Sequence, residues 1–358
     1  MKHIDMIRSL ASAFGPPGFE DDVVKLARTF VPSTADVFED NTRNLYICPT
    51  GEKKEGALTV MVDAHSDEVG LMVQAIKTNG TLAFIPLGAW STQVLMAQKI
   101  VIKNVHGELV RGIISSTPPH FSGGFHGADE KMTPTAEMAI DIGATCKEEV
   151  FERFGIVVGS PIAPYSVFDY DEKNDIMMSK AFDCRLGCAS VLHIMNEIAK
   201  MDLSINVVGV LSAQEETGIR GAKVVAERVK PDLAICFEGT PADDTFAAAD
   251  MSQTKLKKGP MLRHIDQGMI THPRFLRFAL DVAKNAGIAT QEAVRTGGGT
   301  NGMVYHLSNL GVPTIVIGHP TRYVHSPNSI ASMQDWTQGT QLALEILKEL
   351  NREVFNRF

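Results

Sequence analysis

The stretch INVVGVLSAQEETG (205–218) joins an apolar run to two adjacent glutamates. The run INVVGVLSA (205–213) has the length and β-branched content of a strand that is buried on both faces, as in a parallel sheet. Glu215 and Glu216 follow where that strand ends. A lone pair of this kind most often marks a solvated turn, so the remaining sequence has to show whether the pair carries chemistry.

Strand-like and helical segments alternate on both sides of this stretch. The other predicted strands are LTVMVDAHS (58–66), DLAICFEG (232–239) and VPTIVIG (312–318). The predicted helices beyond residue 168 span 182–201, 221–229, 273–287 and 333–354. This alternation indicates an α/β fold with a central, mostly parallel sheet flanked by helices.

Residues 67–168 follow a different pattern. Short β-rich runs such as GLMVQAI and KIVIKN are separated by Gly, Pro and Asn turns, and no helical pattern appears until TCKEEVFERFG. A chain of 358 residues exceeds what one hydrophobic core usually supports. We therefore predict a discontinuous main domain (1–66 and 169–358) interrupted by an all-β domain (67–168). His120 and His126 lie in its Gly-rich segment and are interpreted as part of a mobile or interface loop.

Composition excludes several classes of partner. The formal charge of −8, from 34 Lys+Arg and 42 Asp+Glu, argues against a nucleic acid or an anionic membrane surface. The N-terminal segment resembles an amphipathic helix, and no stretch of 18 uncharged apolar residues occurs. Five scattered cysteines suit reduced thiols. Together these features predict a cytoplasmic protein.

Polar side chains recur where the predicted strands end. Ligands in open α/β sheets bind beyond the carboxyl ends of the strands. The residues at those ends, or at the start of the helix after the insertion, are His65, Asp67, Asp183, Glu215, Glu216, Glu238, His319 and His325. Imidazoles and carboxylates suit zinc, cobalt or manganese, and a pair of such ions needs a bridging carboxylate. One glutamate of the pair can then bind a metal while its neighbour acts as a base.

Some roles stay open at this point. Asp67 lies two residues past His65 on the same side of the strand, so its carboxylate can accept the second N–H of that imidazole. His65 taken alone is more often a hydrogen-bonded structural histidine than a ligand. His319 and His325 share the segment GHPTRYVHSP (318–327), and spacing does not choose between them.

Five strings in a fixed order carry a family resemblance. They are GFE (18–20), AHSDEVGL (64–71), FDCRLGC (182–188), QEETGIRGA (214–222) and PTRYVHSP (320–327). Over its whole length the chain resembles the dinuclear metallopeptidases of the tetrahedral (TET) aminopeptidase, FrvX-like and glutamyl aminopeptidase family. The resemblance implies a metallopeptidase domain (1–66 and 169–358) interrupted by a small β-barrel (67–168) that serves oligomerisation.

The resemblance also implies a ligand set for two divalent metal ions per subunit. Asp183 would bridge the ions, which would be zinc, or else cobalt or manganese. His65 and Glu238 would complete the site of one ion. Glu216 and His325 would complete the site of the other.

The implied activity is release of N-terminal residues from short peptides with a free N-terminus. Glu215 would act as the general base on a metal-bridging water, and Asp67 would orient His65. Members of the family often assemble from dimers into tetrahedral dodecamers. The sequence leaves open the preferred N-terminal residue, the native metal and the choice between dimer and dodecamer.

Three positions depart from the family pattern. Glu238 occupies a position that is usually Asp, and Cys184 occupies one that is commonly Asn. Asn301, in GGTN (298–301), replaces a usual Asp. None of the three removes a group that the implied mechanism needs, but each bears on metal preference and activity.

Three other functions use the same residues differently. A dinuclear-metal deacylase of N-acyl amino acids would keep every ligand and change only the substrate. A glycoside hydrolase would use Glu215 and Glu216 as its paired carboxylates, which must lie about 5–9 Å apart, and would leave His65 and His325 unexplained. A non-catalytic assembly protein would have no need for the complete ligand set.

Overall fold

The computed structural model describes residues 3–49, 54–116 and 133–358, so His120 and His126 lie outside the described residues. The strands, in chain order, are β1 (Ala35–Glu39), β2 (Leu45–Pro49), β3 (Thr59–His65), β4 (Gly70–Ile76), β5 (Leu82–Leu87), β6 (Lys99–Lys103), β7 (Leu109–Ile114), β8 (Ile140–Asp141), β9 (Pro161–Pro164), β10 (Asp169–Asp171), β11 (Ile176–Ser179), β12 (Asn206–Ser212), β13 (Leu233–Pro241), β14 (Met261–Ile265), β15 (Gln291–Val294), β16 (Thr314–Arg322) and β17 (Ser329–Ala331). The helices are α1 (His3–Ser12), α2 (Asp21–Arg28), α3 (Lys147–Glu152), α4 (Phe182–Ile198), α5 (Arg220–Val229), α6 (Pro273–Asn285), α7 (Gly302–Tyr305), α8 (Met333–Glu349) and α9 (Arg352–Phe355). None of these helices is both long enough and apolar enough to cross a bilayer.

Eleven of the described strands form one mixed sheet. Its order is β1-β2-β12-β3-β13-β16-β17-β11-β10, with β14 beside β16 and β15 beside β14. The four strands at its centre, β12, β3, β13 and β16, run parallel. In β3, Val60 and Val62 belong to the apolar cluster beneath α4, whereas Met61 belongs to the cluster beneath α5. Because side chains alternate along a strand, both faces of the sheet are buried, which explains the unbroken apolar runs.

Strands β4 to β9 form a closed antiparallel barrel in the order β4-β5-β8-β7-β6-β9. It has its own core, which includes Leu71, Ile102 and Ile162. The chain enters the barrel directly after β3 and returns to the main sheet at β10. The predicted α/β fold with an inserted small β-barrel is confirmed.

The C-terminal helix and the sheet edges differ from the sequence predictions. The single helix predicted over 333–354 is wrong, because α8 ends at Glu349 and Leu350 is extended. The side chain of Asn351 then accepts the N–H of Val354 and starts α9. The sequence also does not predict β1 and β15, whose residues are mostly partly or fully exposed and lack the apolar run of a central strand.

Candidate active site

The central strands bring polar side chains to one edge of the sheet. His65 is the last residue of β3, Glu216 follows β12, and Glu238 lies within β13. His325 follows β16, and Asp183 lies in the first turn of α4. Parallel strands end at the same edge of a sheet, so residues far apart in the sequence meet there.

These side chains form two groups of potential metal donors. One group contains His65, Asp183, Cys184 and Glu238, and the other contains Asp183, Glu216 and His325. Within each group, the donor atoms all lie within 4.8 Å of one another. Asp183 is the member that the two groups share.

Asp183 presents one carboxylate oxygen to each of two imidazoles. Its Oδ1 lies 3.0 Å from Nε2 of His65, and its Oδ2 lies 3.2 Å from Nε2 of His325. Although burial opposes it, the carboxylates of Glu216 and Asp183 raise the pKa of His325 to about 11. Burial also lowers the pKa of His65, but hydrogen bonds to Asp183 and Asp67 outweigh it and raise that pKa well above its usual value. The site therefore favours positive charge.

Several carboxylates of the site lack sufficient positive charge nearby. Burial, reinforced by the charge of Asp183, raises the pKa of Glu238 well above its usual value. Burial and the carboxylates of Glu216 and Asp67 raise the pKa of Glu215 to about 8. Oε1 of Glu216 is buried and lies 3.4 Å from Nε2 of His325, with no other donor to it among the described residues. Buried carboxylates and imidazoles in this arrangement fit divalent cations, which both supply the missing charge and prefer these donor atoms.

Asp67 contacts both His65 and the backbone of the two glutamates. Nδ1 of His65 lies 3.1 Å from the backbone carbonyl oxygen of Asp67 and 3.4 Å from its Oδ1. The carboxylate also accepts two backbone N–H groups, that of Glu215 on Oδ1 and that of Glu216 on Oδ2, each at 3.0 Å. Asp67 thus contacts the imidazole of His65 mainly through its backbone carbonyl oxygen, while its carboxylate holds the backbone of the two glutamates.

His319 does not belong to either donor group. It is 1% exposed and stacks on Phe237 at a ring separation of 5.3 Å. Its Nε2 lies 2.9 Å from the hydroxyl of Ser190, and burial lowers its pKa to about 3. Of the two histidines that spacing could not separate, His325 is the one beside Asp183.

Two of the three departures from the family pattern lie among the donors. Glu238 and Cys184 are both in the first group. The thiol of Cys184 also donates to the carbonyl oxygen of Phe237 at 3.3 Å. Asn301 is in neither group, and its amide donates to Asp63 and Ser212 at 2.7 Å each.

Two further residues contact the site without any signal in the sequence spacing. Oε1 of Glu20, in the GFE string, accepts the N–H of Gln214 at 3.1 Å. Gly88 lies in the barrel loop after β5, where a Cβ atom would be 3.1 Å from Oε2 of Glu216. The barrel therefore reaches the edge of the candidate active site.

Two ion pairs brace the surrounding loops. Lys180 Nζ donates to both carboxylate oxygens of Glu68, at 2.5 and 2.6 Å, and this pair is buried. Arg322 donates to Asp244 through Nε and Nη2, at 2.9 and 2.7 Å. The second pair fixes the segment that leads to His325.

Comparison with known proteins places the chain in a family. The family model described as M42 glutamyl aminopeptidase matches residues 44–342. The chain belongs to the M42 family. Because this is a family of aminopeptidases, the protein is a peptidase that acts as an aminopeptidase.

Individual relatives match this M42 peptidase along most of its length. The glutamyl aminopeptidase of Lactococcus lactis subsp. cremoris (strain MG1363) is 31% identical, over 99% of the chain and 98% of that protein. The lysyl aminopeptidase of Pyrococcus furiosus is 30% identical, over 83% of each. The crystal structure of a TET aminopeptidase from Thaumarchaeota archaeon SCGC AB-539-E09 has a TM-score of 0.92 and 34% identity, covering 99% of both chains.

Proposed function

We propose that this aminopeptidase works with two divalent metal ions held around Asp183. Asp183, His65 and Glu238 would hold one ion, and Asp183, Glu216 and His325 would hold the other. The observation that carries the proposal is that Asp183 belongs to both donor groups. Bound ions would supply Lewis-acid chemistry at the scissile carbonyl. Zinc fits this mixed nitrogen and oxygen set, and cobalt and manganese have similar preferences.

Glu215 is the proposed general base. It is adjacent to Glu216 yet belongs to neither donor group, so its carboxylate remains available for proton transfer. Burial and the nearby carboxylates raise its pKa to about 8 in the metal-free site, and the positive charge of bound ions would lower that pKa toward the range in which a carboxylate both takes and returns a proton readily. Glu215 would take the proton of the attacking water and return it to the leaving amine.

The proposed substrates are short peptides with a free N-terminus. Glu215, Glu216, Glu238 and Asp183 converge at the site, and the negative charge that bound ions leave unbalanced would attract an α-ammonium group and disfavour an acylated terminus. The two relatives differ in specificity, since one is a glutamyl and the other a lysyl aminopeptidase. A substrate panel is therefore needed to establish the preferred terminal residue.

Self-association in the cytoplasm completes the proposal. The barrel exposes apolar side chains, with Val105 54%, Leu109 50% and Ile113 50% exposed. Burial of such side chains between subunits would favour a dimer, and dimers could assemble further into a tetrahedral dodecamer. The five cysteines form no disulfide within the described residues, which suits a reducing compartment. Light scattering would measure the mass of the assembly.

The test of this function compares wild type with Glu215→Gln and Glu216→Gln. Each protein is assayed on aminoacyl chromogenic amides and short peptides, with chelator and then with zinc, cobalt or manganese restored. We expect Glu215→Gln to retain its metal and to lose turnover by about 10²- to 10⁴-fold. Glu216→Gln should instead bind less metal, because it alters a proposed ligand.

Three results would overturn parts of the proposal. Turnover that persists in Glu215→Gln would remove Glu215 from the role of base. Full activity after complete chelation would exclude the metal ions. Cleavage of N-acyl amino acids but of no peptide with a free N-terminus would indicate the deacylase instead.

A further inference from the structure

Four consecutive backbone N–H groups at the end of β12 donate to side chains rather than to another strand. The acceptors come from three separate segments of the chain. The N–H groups of Ala213, Gln214, Glu215 and Glu216 donate to Asn44 Oδ1 at 2.8 Å, Glu20 Oε1 at 3.1 Å, Asp67 Oδ1 at 3.0 Å and Asp67 Oδ2 at 3.0 Å, respectively. Each of the four backbone N–H groups around the proposed base thus donates to a side-chain oxygen.

Among these acceptors, Glu20 is a fully buried carboxylate. It is 0% exposed, and its Oε1 accepts the N–H of Gly18 at 2.8 Å as well as that of Gln214. Its Oε2 is buried and accepts no hydrogen bond from the part of the chain that the structure describes. Burial and the charge of Asp67 raise its pKa to about 7. Burying such a group is unfavourable, so the contacts through Oε1 must provide something that an apolar side chain would not.

The peptide held by Glu20 has an unusual conformation. Gln214 has a φ of 56°, in the left-handed region that side chains other than glycine rarely adopt. A residue in this region persists only when its surroundings hold it there. The turn at Gln214 also sets the direction in which the chain continues into Glu215. Release of the Gln214 N–H would therefore allow the base to move.

We propose that Glu20 is a positioning residue for catalysis, acting through the backbone of Gln214 to hold Glu215 in place, an inference that rests on the proposed role of Glu215 as base. Displacement of a reacting group by about 1 Å can lower a rate by about 10²-fold. Glu20 lies in neither donor group. Its loss should therefore affect the chemical step more than metal binding.

The test compares Glu20→Ala, Glu20→Gln and the matched control Asp335→Ala. Asp335 is also a buried carboxylate that accepts two backbone N–H groups, those of Lys257 at 2.6 Å and Gly259 at 2.8 Å, but it belongs to neither donor group. For Glu20→Ala we expect kcat to fall by about 10- to 100-fold, with KM and metal content within about twofold of wild type. Glu20→Gln should keep most of the wild-type kcat, because the glutamine amide oxygen can accept the same two N–H groups. Asp335→Ala should lower the thermal midpoint but keep the wild-type kcat.

The outcomes separate this inference from the proposed function. Glu215→Gln, assayed in parallel, tests the base itself, and its full activity would remove the premise. If Glu215→Gln is inactive while Glu20→Ala turns over at the wild-type rate, only the role of Glu20 is wrong. Loss of metal in Glu20→Ala, an equal loss of kcat in Asp335→Ala, or failure of Glu20→Gln to restore kcat would each overturn it as well.

Discussion

Oδ1 of Asp183 lies 3.0 Å from Nε2 of His65. The other oxygen, Oδ2, lies 3.2 Å from Nε2 of His325, whose pKa the Glu216 and Asp183 carboxylates raise to about 11 despite burial. A histidine binds a metal ion only through a neutral nitrogen. Protons and metal ions therefore compete for the same two imidazoles.

The first prediction concerns protons released on metal binding. Zinc added to chelated protein at pH 7 should release protons from His65 and His325 and also from Glu238, because the pKa of each of these proposed ligands is raised. Because these pKa values are raised, the protons are bound at neutral pH, and the apparent zinc affinity should rise with pH. Calorimetry in buffers of different ionisation enthalpy measures the release. His325→Gln should release about one proton fewer, and heats that do not depend on the buffer would contradict the prediction.

The second prediction tests the approach of the barrel to the site. Gly88 has a φ of 89°, and an added Cβ would lie 2.7 Å from Cγ1 of Val69 and 3.1 Å from Oε2 of Glu216. Gly88→Ala should therefore displace Glu216, weaken metal binding and lower kcat/KM by roughly 10-fold or more. Metal titration and steady-state kinetics measure these effects.

Gly143→Ala is the matched control for Gly88. Gly143 is also in the barrel and has a φ of 80°, but an added Cβ there would meet no atom of the described residues within 4 Å. Both substitutions force alanine into the left-handed region, which costs about 1 kcal/mol of stability. Equal losses of metal affinity in the two variants would show that backbone strain, rather than contact with Glu216, is responsible.

The third prediction concerns stability in acid. Burial lowers the pKa of His319 to about 3 from a usual value of 6.5. The unfolded chain therefore binds a proton between these pH values that the folded chain does not, and stability falls as pH decreases through this window. At pH 5 the loss from this one histidine should be about 2 kcal/mol.

His319→Gln should reduce that loss. Its free energy of unfolding, measured with urea at pH 7 and pH 5, should fall less with acid than that of wild type. His106→Gln, which alters an exposed imidazole of the barrel, is the control and should follow wild type. A parallel pH dependence for wild type and His319→Gln would refute the assignment of this window to His319.

Much of the fold can be predicted from local pattern. Strands β3 and β12 are readable because burial on both faces requires an unbroken apolar run, and α4 follows from helical periodicity. The break at Asn351 was missed, since a polar residue late in a helix does not reveal whether its side chain caps a new one. Edge strands β1 and β15 were missed because exposure removes the apolar signal.

The sequence by itself determined the alternation of strands and helices, the inserted β-rich segment and the candidate ligands at the strand ends, because each depends on local periodicity and residue chemistry. Spacing did not separate His325 from His319; the family resemblance implied His325, and the tertiary structure placed it beside Asp183. Only the tertiary structure brought Gly88 to Glu216 and directed the carboxylates of Asp67 and Glu20 to the backbone of the loop at 214–216. These contacts join segments far apart in the chain. Their partners are set by packing and burial in three dimensions, which leave no periodic trace along the sequence.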